Sequence, residues 1–307
     1  MKYCICASGN LGLIVLKQLV EKGIDIVCVF TNKHSDEIVD YTEEVGLKAF
    51  VGNPREGKGL AWIKENGVEF DNILSINYLF ILEGDILRQA KNAAVNFHGS
   101  LLPRYRGRTP HVWAIINGEK EAGITAHIMN EECDDGDIVK QLVVPIEYED
   151  TGADILAEYN AIYPGLVMSV VEDLEAGELH HTKQDITKAT YFGKRTPEDG
   201  EINWDWQKER IRNWVRAQAN PYPGAFTFIN GHKIIINKVT FVDKGFKDTM
   251  TNGLVVDVEN NIPFIKTQNG VIALVDYQTE VLLTAGNILG PNGAVNQPIK
   301  PVGGYNP

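Results

Sequence analysis

Residues 2–31 read KYCICASGNLGLIVLKQLVEKGIDIVCVFT. The two ends, KYCICA (2–7) and DIVCVFT (25–31), are short apolar runs of strand length. Between them, LGLIVLKQLVEKG (11–23) sets Leu, Ile and Val at helical spacing and ends on Gly23, a residue suited to the left-handed turn that stops a helix. A strand, a helix and a strand in so short a span predict a βαβ unit. Its two strands must lie parallel, in a sheet covered on both faces.

The same alternation continues downstream. DEIVDYTEEVG (36–46) predicts a helix, KAFV a short strand, GLAWIKENG a helix, NILSIN (72–77) a strand, ILEGDILRQA a helix and AAVNFH (93–98) a strand. TPHVWAIINGE (109–119) predicts a further helix, and GITAHIM and DIVKQLVVPI two further strands. GADILAEYNAIYPGLVMSVVEDLEAG (152–177) predicts a long helix that Pro164 kinks or divides. The fold class expected is α/β, a doubly wound, mostly parallel (Rossmann-like) sheet. Such sheets bind ligands beyond the carboxyl ends of their strands, where Asn77 and the pair Asn96 and His98 fall.

The texture changes near residue 190. RTPEDGEINW is a polar connector, and WQKERIRNWVRAQAN (206–220) predicts a short helix ended by PYPG. Beyond it the chain is β-rich, with Asn230-Gly231 and Asn269-Gly270 as hairpin turns. Two domains are expected: a doubly wound one over 1–190, and a smaller C-terminal β-rich one over 200–307 built on an OB-like, partly open barrel. The tail GPNGAVNQPIKPVGGYNP is expected to hold little regular structure. Trp204, Trp206 and Trp214 read as packing residues at the domain junction, and His111, His180, His181 and His232 as structural or surface residues.

With 307 residues, 44% of them hydrophobic, the chain can bury two cores. Its formal net charge of -12 argues against a nucleic-acid partner, which needs a basic face. A local group of Arg can still hold one small anion. No window approaches the roughly 18 uninterrupted apolar residues of a membrane span, and the N-terminus has no long apolar signal region. The four Cys form no C-x-x-C pair and have no His at metal spacing. A reduced, cytoplasmic protein without a metal is expected.

VNFHGSLLPRYRGRTP (95–110) carries the chemistry. Asn96 and His98, at i and i+2, share one face of a strand. An imidazole there can take a proton near neutral pH, and an amide can donate to a developing oxyanion. The next acidic cluster is EECDDGDIV, with Asp134, Asp135 and Asp137. Taken singly, each feature is more often a structural pair or a solvated turn; it is their combination that points to catalysis.

NFHGSLLPRYRGRTP followed by GITAHIMNEECDDGDI resembles the N10-formyltetrahydrofolate-dependent formyltransferases. The resemblance covers nearly the whole chain, because the two-domain members share the layout of a doubly wound domain and a small β-rich one. It implies that Asn96, His98 and Asp134 form the catalytic set. An amine attacks the formyl carbon to give a tetrahedral intermediate, His98 is the general base, Asn96 stabilises the oxyanion and Asp134 holds the imidazole. It also implies that the pterin of N10-formyltetrahydrofolate lies against the loop near Phe80, Ile81 and Leu82 and against the loop carrying Cys133 and Asp134.

Four acceptors are compatible with the family. Methionyl-tRNA formyltransferases carry a basic inserted loop after the second strand, where this chain has the acidic TNKHSDEIVDYTEEVG. Glycinamide ribonucleotide formyltransferases usually stop after one domain, and a formyltetrahydrofolate hydrolase needs no acceptor site. SLLPRYRGRTP, YFGKRTPEDG and ANPYPGAF are similar to the formyltransferase part of the enzyme acting on UDP-4-amino-4-deoxy-L-arabinose. The resemblance thus implies a UDP- or dTDP-linked 4-amino-4,6-dideoxy sugar as acceptor and a homodimer as assembly. Arg104, Arg106, Arg108, Lys194 and Arg195 are candidates for the diphosphate, since guanidinium forks suit phosphate oxygens. A catalytically silent folate- or nucleotide-sugar-binding module would predict a damaged catalytic set, which is intact here. A plain dinucleotide-binding domain lacks its G-x-G-x-x-G after the first strand.

Overall fold

The first strand, β1 (Lys2–Ala7), is buried from Tyr3 to Ala7, as a strand covered on both faces must be. The computed structural model describes residues 1–291; the expectation for the C-terminal tail therefore falls largely outside the described residues. After β1 come α1 (Gly9–Glu21), β2 (Asp25–Thr31), α2 (Asp36–Glu44), β3 (Ala49–Val51), α3 (Lys58–Glu65), β4 (Asn72–Ile76), α4 (Gly84–Leu87) and β5 (Ala93–His98). The two-residue β6 (Arg106–Gly107), α5 (Pro110–Ile116), β7 (Glu121–Ile128), β8 (Ile138–Pro145), α6 (Gly152–Ala176) and β9 (Tyr191–Phe192) follow. The chain continues through α7 (Lys208–Ala217), β10 (Ala225–Ile229), β11 (His232–Val242), β12 (Val255–Glu259), β13 (Ile262–Thr267) and β14 (Gly270–Gln278).

Contacts divide the chain into two compact units. The first comprises Met1–Gly107, Gly123–Val144 and Glu158–Tyr191. The second comprises Arg108–Ala122, Pro145–Ala157 and, of the described residues, 192–291.

A seven-stranded sheet in the order β3-β2-β1-β4-β5-β7-β8 forms the centre of the first unit. From β3 to β5 every pairing is parallel, and β7 then joins β5 antiparallel. The order reverses between β1 and β4, so the carboxyl ends of these strands flank the switch point of a doubly wound sheet. There Asn77, in the left-handed region at φ 51, donates from Nδ2 to the Ser8 carbonyl at 3.0 Å. Cys4, Cys6 and Cys28 pack with Phe30, Phe70 and Ile73 in a core on the sheet, behaving as small hydrophobes.

One expectation for this unit is corrected, and the alternative left open at Pro164, a kink or a division, is narrowed. The helix expected over ILEGDILRQA is a single turn, α4. Leu82 and Ile86 both bury, which mimics helical spacing, but Glu83 is extended at ψ 159, so the chain reaches Leu82 as a loop. Pro164 does not divide α6, which runs unbroken through it. Tyr159 and Tyr163, one turn apart just before the proline, donate from their hydroxyls to the carbonyls of Gly99 and Phe97, at 3.0 and 3.1 Å. That anchoring holds the helix across the hydrogen bond the proline cannot make.

The second unit contains a five-stranded antiparallel sheet in the order β10-β11-β14-β13-β12. Residues 287–290 join its two edges. Gly290 exchanges backbone hydrogen bonds with Phe228 on β10, and Asn287 accepts from Val255 on β12. This is the partly open barrel expected from the sequence. The Asn230-Gly231 turn is present, both residues having positive φ. The second hairpin turns one residue earlier than expected, on Gln268-Asn269, with Gly270 already paired to Thr267. A methyl group at Gly270 would lie 3.0 Å from Cδ of the Lys208 side chain, which would have to shift by a few tenths of an ångström. Asn260 and Asn261, at φ 50 and 63, make a further tight turn between β12 and β13. Trp204 and Trp214 are buried within this unit, their indoles donating to Thr227 and to the Gly200 carbonyl.

Candidate active site

The antiparallel pairing of β5 with β7 sets Asn96 opposite His127 and His98 opposite Thr125. The loop after β7 then brings Asp134 back over both imidazoles. Asp134 Oδ2 lies 3.6 Å from His98 Nδ1, and Oδ1 lies 3.6 Å from His127 Nε2. Asn96 Nδ2 is 3.0 Å from His127 Nε2. The structure thus brings together the three residues named from the sequence, and adds a fourth. His127 was not legible as a site residue because GITAHIM reads simply as a strand; its only signal is that it shares a strand face with Thr125.

The ring protons follow from the neighbours. His98 Nε2 lies 2.9 Å from the Tyr105 carbonyl oxygen, which can only accept, so Nε2 carries a proton and the neutral ring keeps its lone pair at Nδ1, towards Asp134. His127 Nδ1 likewise donates to the Ile128 carbonyl at 2.9 Å. Its Nε2 then accepts from Asn96 while the ring is neutral, and becomes a donor facing Asp134 when the ring is protonated. Both imidazoles are buried, His98 at 8% exposure and His127 at 3%.

Burial on its own would push the Asp134 carboxyl up. His98, the His127 side chain and the Gly107 amide outweigh it and hold the carboxyl well below the usual carboxylate range. The Gly107 amide donates to Oδ2 at 2.9 Å, and Cys133 Sγ points at the same oxygen from 3.4 Å. The site therefore contains a committed anion between two imidazoles, with an amide donor beside one of them.

The loop after β4 presents apolar side chains at the surface. Leu79 and Ile81 are exposed at 44% and 46%, and Phe80 packs edge-on against Tyr78. Leu82 differs from its neighbours: its side chain is buried in the core at 1% exposure, so only its backbone can face a ligand.

The five cations named for a diphosphate do not behave alike. Arg104, Arg108 and Lys194 are exposed. Arg106 is corrected: it is buried, and its guanidinium is engaged by Asp135, Gln184 and Tyr191. Arg195 is corrected too. It is sandwiched between Trp113 and Trp214 and donates to Gln218 Oε1 at 2.9 Å, burial lowering its tendency to hold a proton. His111 is structural, its imidazole 2.7 Å from the Tyr222 hydroxyl and pushed down to about 4 by burial. Among the described residues no group of three or more His, Cys, Asp and Glu could hold a metal ion, and no helix is long and apolar enough to cross a membrane.

Residues 4–171, more than half of the chain, match the formyl transferase family, and residues 194–283 match the formyl transferase C-terminal domain. Among solved structures, the chain is similar over 91% of its length to the N-formyltransferase from Helicobacter canadensis in complex with folinic acid and dTDP-3-aminofucose (99% of that chain, TM-score 0.70, 20% identity). It is similar over 76% of its length to a 4-N formyltransferase from Francisella tularensis (96% of that chain, TM-score 0.65, 22% identity). It is also similar over 91% to the methionyl-tRNA formyltransferase from Clostridium thermocellum (99% of that chain, TM-score 0.57, 20% identity). At these identities the likeness is one of fold.

Proposed function

The chain belongs to the formyl transferase family, and from that premise we propose that it moves a formyl group from N10-formyltetrahydrofolate to the amino group of a nucleoside-diphosphate-linked amino sugar. The acceptor proposed is a UDP- or dTDP-linked 4-amino-4,6-dideoxy sugar. The observation that carries the reading is the convergence of Asn96, His98 and Asp134, with His127, at the junction of β5 and β7. Two solved relatives of similar fold, held with dTDP ligands and a formylated folate, support the substrate class.

The folate, when bound, supplies the activated formyl carbon; the rest falls to the protein. Asn96 has a second N–H, beyond the one given to His127, to donate to the oxygen on which charge develops. One such preorganised donor is worth about 3–4 kcal/mol. His98 takes the proton of the attacking amine at Nδ1, the nitrogen left with a lone pair by the Tyr105 carbonyl. Asp134 is held as a carboxylate and has no proton to donate, so that lone pair is not already spent. Once Nδ1 is protonated, the carboxylate stabilises it, and His98 then returns the proton to the departing folate nitrogen as the bond from the formyl carbon to that nitrogen breaks. Phe80, Ile81, the Leu82 backbone, Cys133 and Asp134 are the proposed folate contacts. Arg104, Arg108 and Lys194 are each proposed as diphosphate contacts, to be tested singly. The reading includes a cytoplasmic location and a homodimer, and light scattering on the purified protein would check the second.

Methionyl-tRNA remains the second acceptor, because a methionyl-tRNA formyltransferase shares the fold. The net charge of -12 weighs against it. The test offers the protein N10-formyltetrahydrofolate with UDP- and dTDP-linked 3- and 4-amino sugars, glycinamide ribonucleotide and methionyl-tRNA, and looks by mass spectrometry for one added formyl group. A formylated nucleotide sugar supports the proposal. Formylation of methionyl-tRNA alone would replace it, and transfer to none of these acceptors would count for a hydrolase or a silent binding module.

A further inference from the structure

Arg106 is the largest fully buried side chain in the first unit, at 1% exposure. A guanidinium is taken out of water only where fixed partners replace its hydration, so its surroundings say what it is for. Nε and Nη2 both donate to Gln184 Oε1, at 3.2 and 2.7 Å. Nη1 donates to the Tyr191 hydroxyl at 2.5 Å and forms an ion pair with Asp135. Gln184 passes the connection on: its Nε2 donates to the carbonyl oxygens of Asp134 and Gly136, at 2.9 and 2.7 Å. Apart from the two Arg106 bonds to Gln184 itself, every one of these contacts ends on Asp134, Asp135, Gly136 or Tyr191.

The segment so held is under backbone strain. Asp134 sits at φ 53, in the left-handed region, which Asp enters more readily than most residues but which still costs it free energy relative to ordinary φ. Its carboxylate must reach both His98 and His127 from that conformation. Left to itself, the loop would relax towards ordinary φ, and the carboxylate would swing away from the two rings.

We propose that Arg106 and Gln184 are positioning residues for the reaction, a buried brace that holds the strained Asp134 backbone so that its carboxylate stays between His98 and His127. The proposal rests on the formyl-transfer reading for its kinetic consequence, and on the geometry alone for its structural one. At 1% exposure the Arg106 guanidinium offers no surface for a substrate to touch; it acts through Gln184 on the segment that carries the carboxylate. A brace of this kind alters the chemical step more than binding, since displacing a catalytic group by about 1 Å can cost a hundredfold in rate.

The test uses the full-length protein and two variants. Gln184→Glu keeps the shape and the acceptor for Arg106 but removes both N–H donors to the Asp134 and Gly136 carbonyls. Arg106→Lys keeps a buried cation near Asp135 but loses the fork on Gln184. Each is followed by steady-state kinetics and by the ring 15N resonances of His98 and His127, assigned from His98→Asn and His127→Asn. We expect kcat to fall roughly tenfold to a hundredfold in both variants, KM for both substrates to stay within about twofold of wild type, and both rings' resonances to move. A purely structural role would lower the melting temperature and leave kcat, measured well below it, unchanged. Wild-type kcat in a folded Gln184→Glu protein, or a loss of kcat with unmoved ring resonances, overturns the proposal. Should Gln184→Glu not fold, Arg106→Lys is judged by the same criteria. If the wild-type protein formylates no acceptor, the ring resonances alone decide: movement sustains the brace while the formyl-transfer reading fails.

Discussion

Asn96 Nδ2 lies 3.0 Å from His127 Nε2, across the point where the parallel strands β3 to β5 give way to the antiparallel β7. Had β7 continued the parallel pattern, a different residue would stand opposite Asn96. The reversal also lets the chain leave β7 directly into the loop that carries Asp134. His127 has given its other ring proton to the Ile128 carbonyl, so in its neutral form it can only accept from Asn96. It thereby fixes which end of the Asn96 amide faces the site.

Replacing Asn96 by Ala should therefore lower kcat by about 10²–10³-fold, the cost of one oxyanion donor. KM for the amino sugar should change little, because the donor matters most when the negative oxygen forms. Kinetics on a variant with a wild-type melting temperature check this; a kcat within threefold of wild type would remove Asn96 from the mechanism.

His127 acts on the reaction through Asn96, so His127→Leu should cost less than Asn96→Ala, roughly tenfold. The two losses should not add. A double-mutant cycle in which Asn96→Ala/His127→Leu is as active as Asn96→Ala alone confirms the coupling. Full additivity would mean that His127 acts independently.

Asp134 ties stability to pH. Its carboxyl is held below its ordinary range in the folded protein by the imidazoles and the Gly107 amide, whereas unfolded it titrates near 4, at about the model-peptide value. A depressed folded value means that the stabilisation is fully present above about pH 4 and is lost as the pH falls from there towards the folded value. Asp134→Asn should melt lower than wild type at neutral pH, and the gap should narrow below about pH 4. A gap independent of pH would show that the loss is one of packing rather than charge.

Much of this was legible in the chain itself. The βαβ alternation follows from strand-length apolar runs around helical ones, and β2 and β5 fall where the sequence places them. Asn96, His98 and Asp134 came from a motif. What the sequence hid were contacts whose meaning depends on distant chain. Arg106, in a run as basic as RYRGR, reads as solvent-facing until Gln184, 78 positions on, is seen to receive its guanidinium. Arg195 is consumed by two indoles in the same way. Leu82 and Ile86 carry helical spacing without a helix between them, because burial fixes only where side chains go and not the path of the backbone.

The shifted hairpin turn makes its own prediction. Asn269 Oδ1 accepts from the Lys208 amide at 2.8 Å, and its Nδ2 donates to Glu209 at 2.9 Å. A residue distant in sequence thus caps the first turn of α7, where Gln207 makes no side-chain cap of its own. Asn269→Ala should destabilise the protein by about 0.5–2 kcal/mol without altering kcat. Urea unfolding measures the first and the formyl-transfer assay the second.

Gly136 gives the most local test of the site. Its Cα packs against the Ile128 carbonyl so closely that a methyl group would collide with that oxygen. The same oxygen accepts the Nδ1 proton of His127, and the Ile128 amide in turn donates to the Asp137 carbonyl at 2.9 Å. Gly136→Ala must therefore push the Asp134 loop outwards or displace the acceptor that fixes the His127 tautomer. Either movement disturbs the same cluster. Overpacking of this kind costs about 1–3 kcal/mol of stability, which still leaves most of a typical domain folded at 25 °C. The activity should nonetheless fall by about tenfold or more, measured at a temperature where circular dichroism shows the variant folded. A stability loss of that size with wild-type kcat would mean that the loop absorbs the methyl group without moving the carboxylate, and that Asp134 is less exactingly placed than the geometry implies.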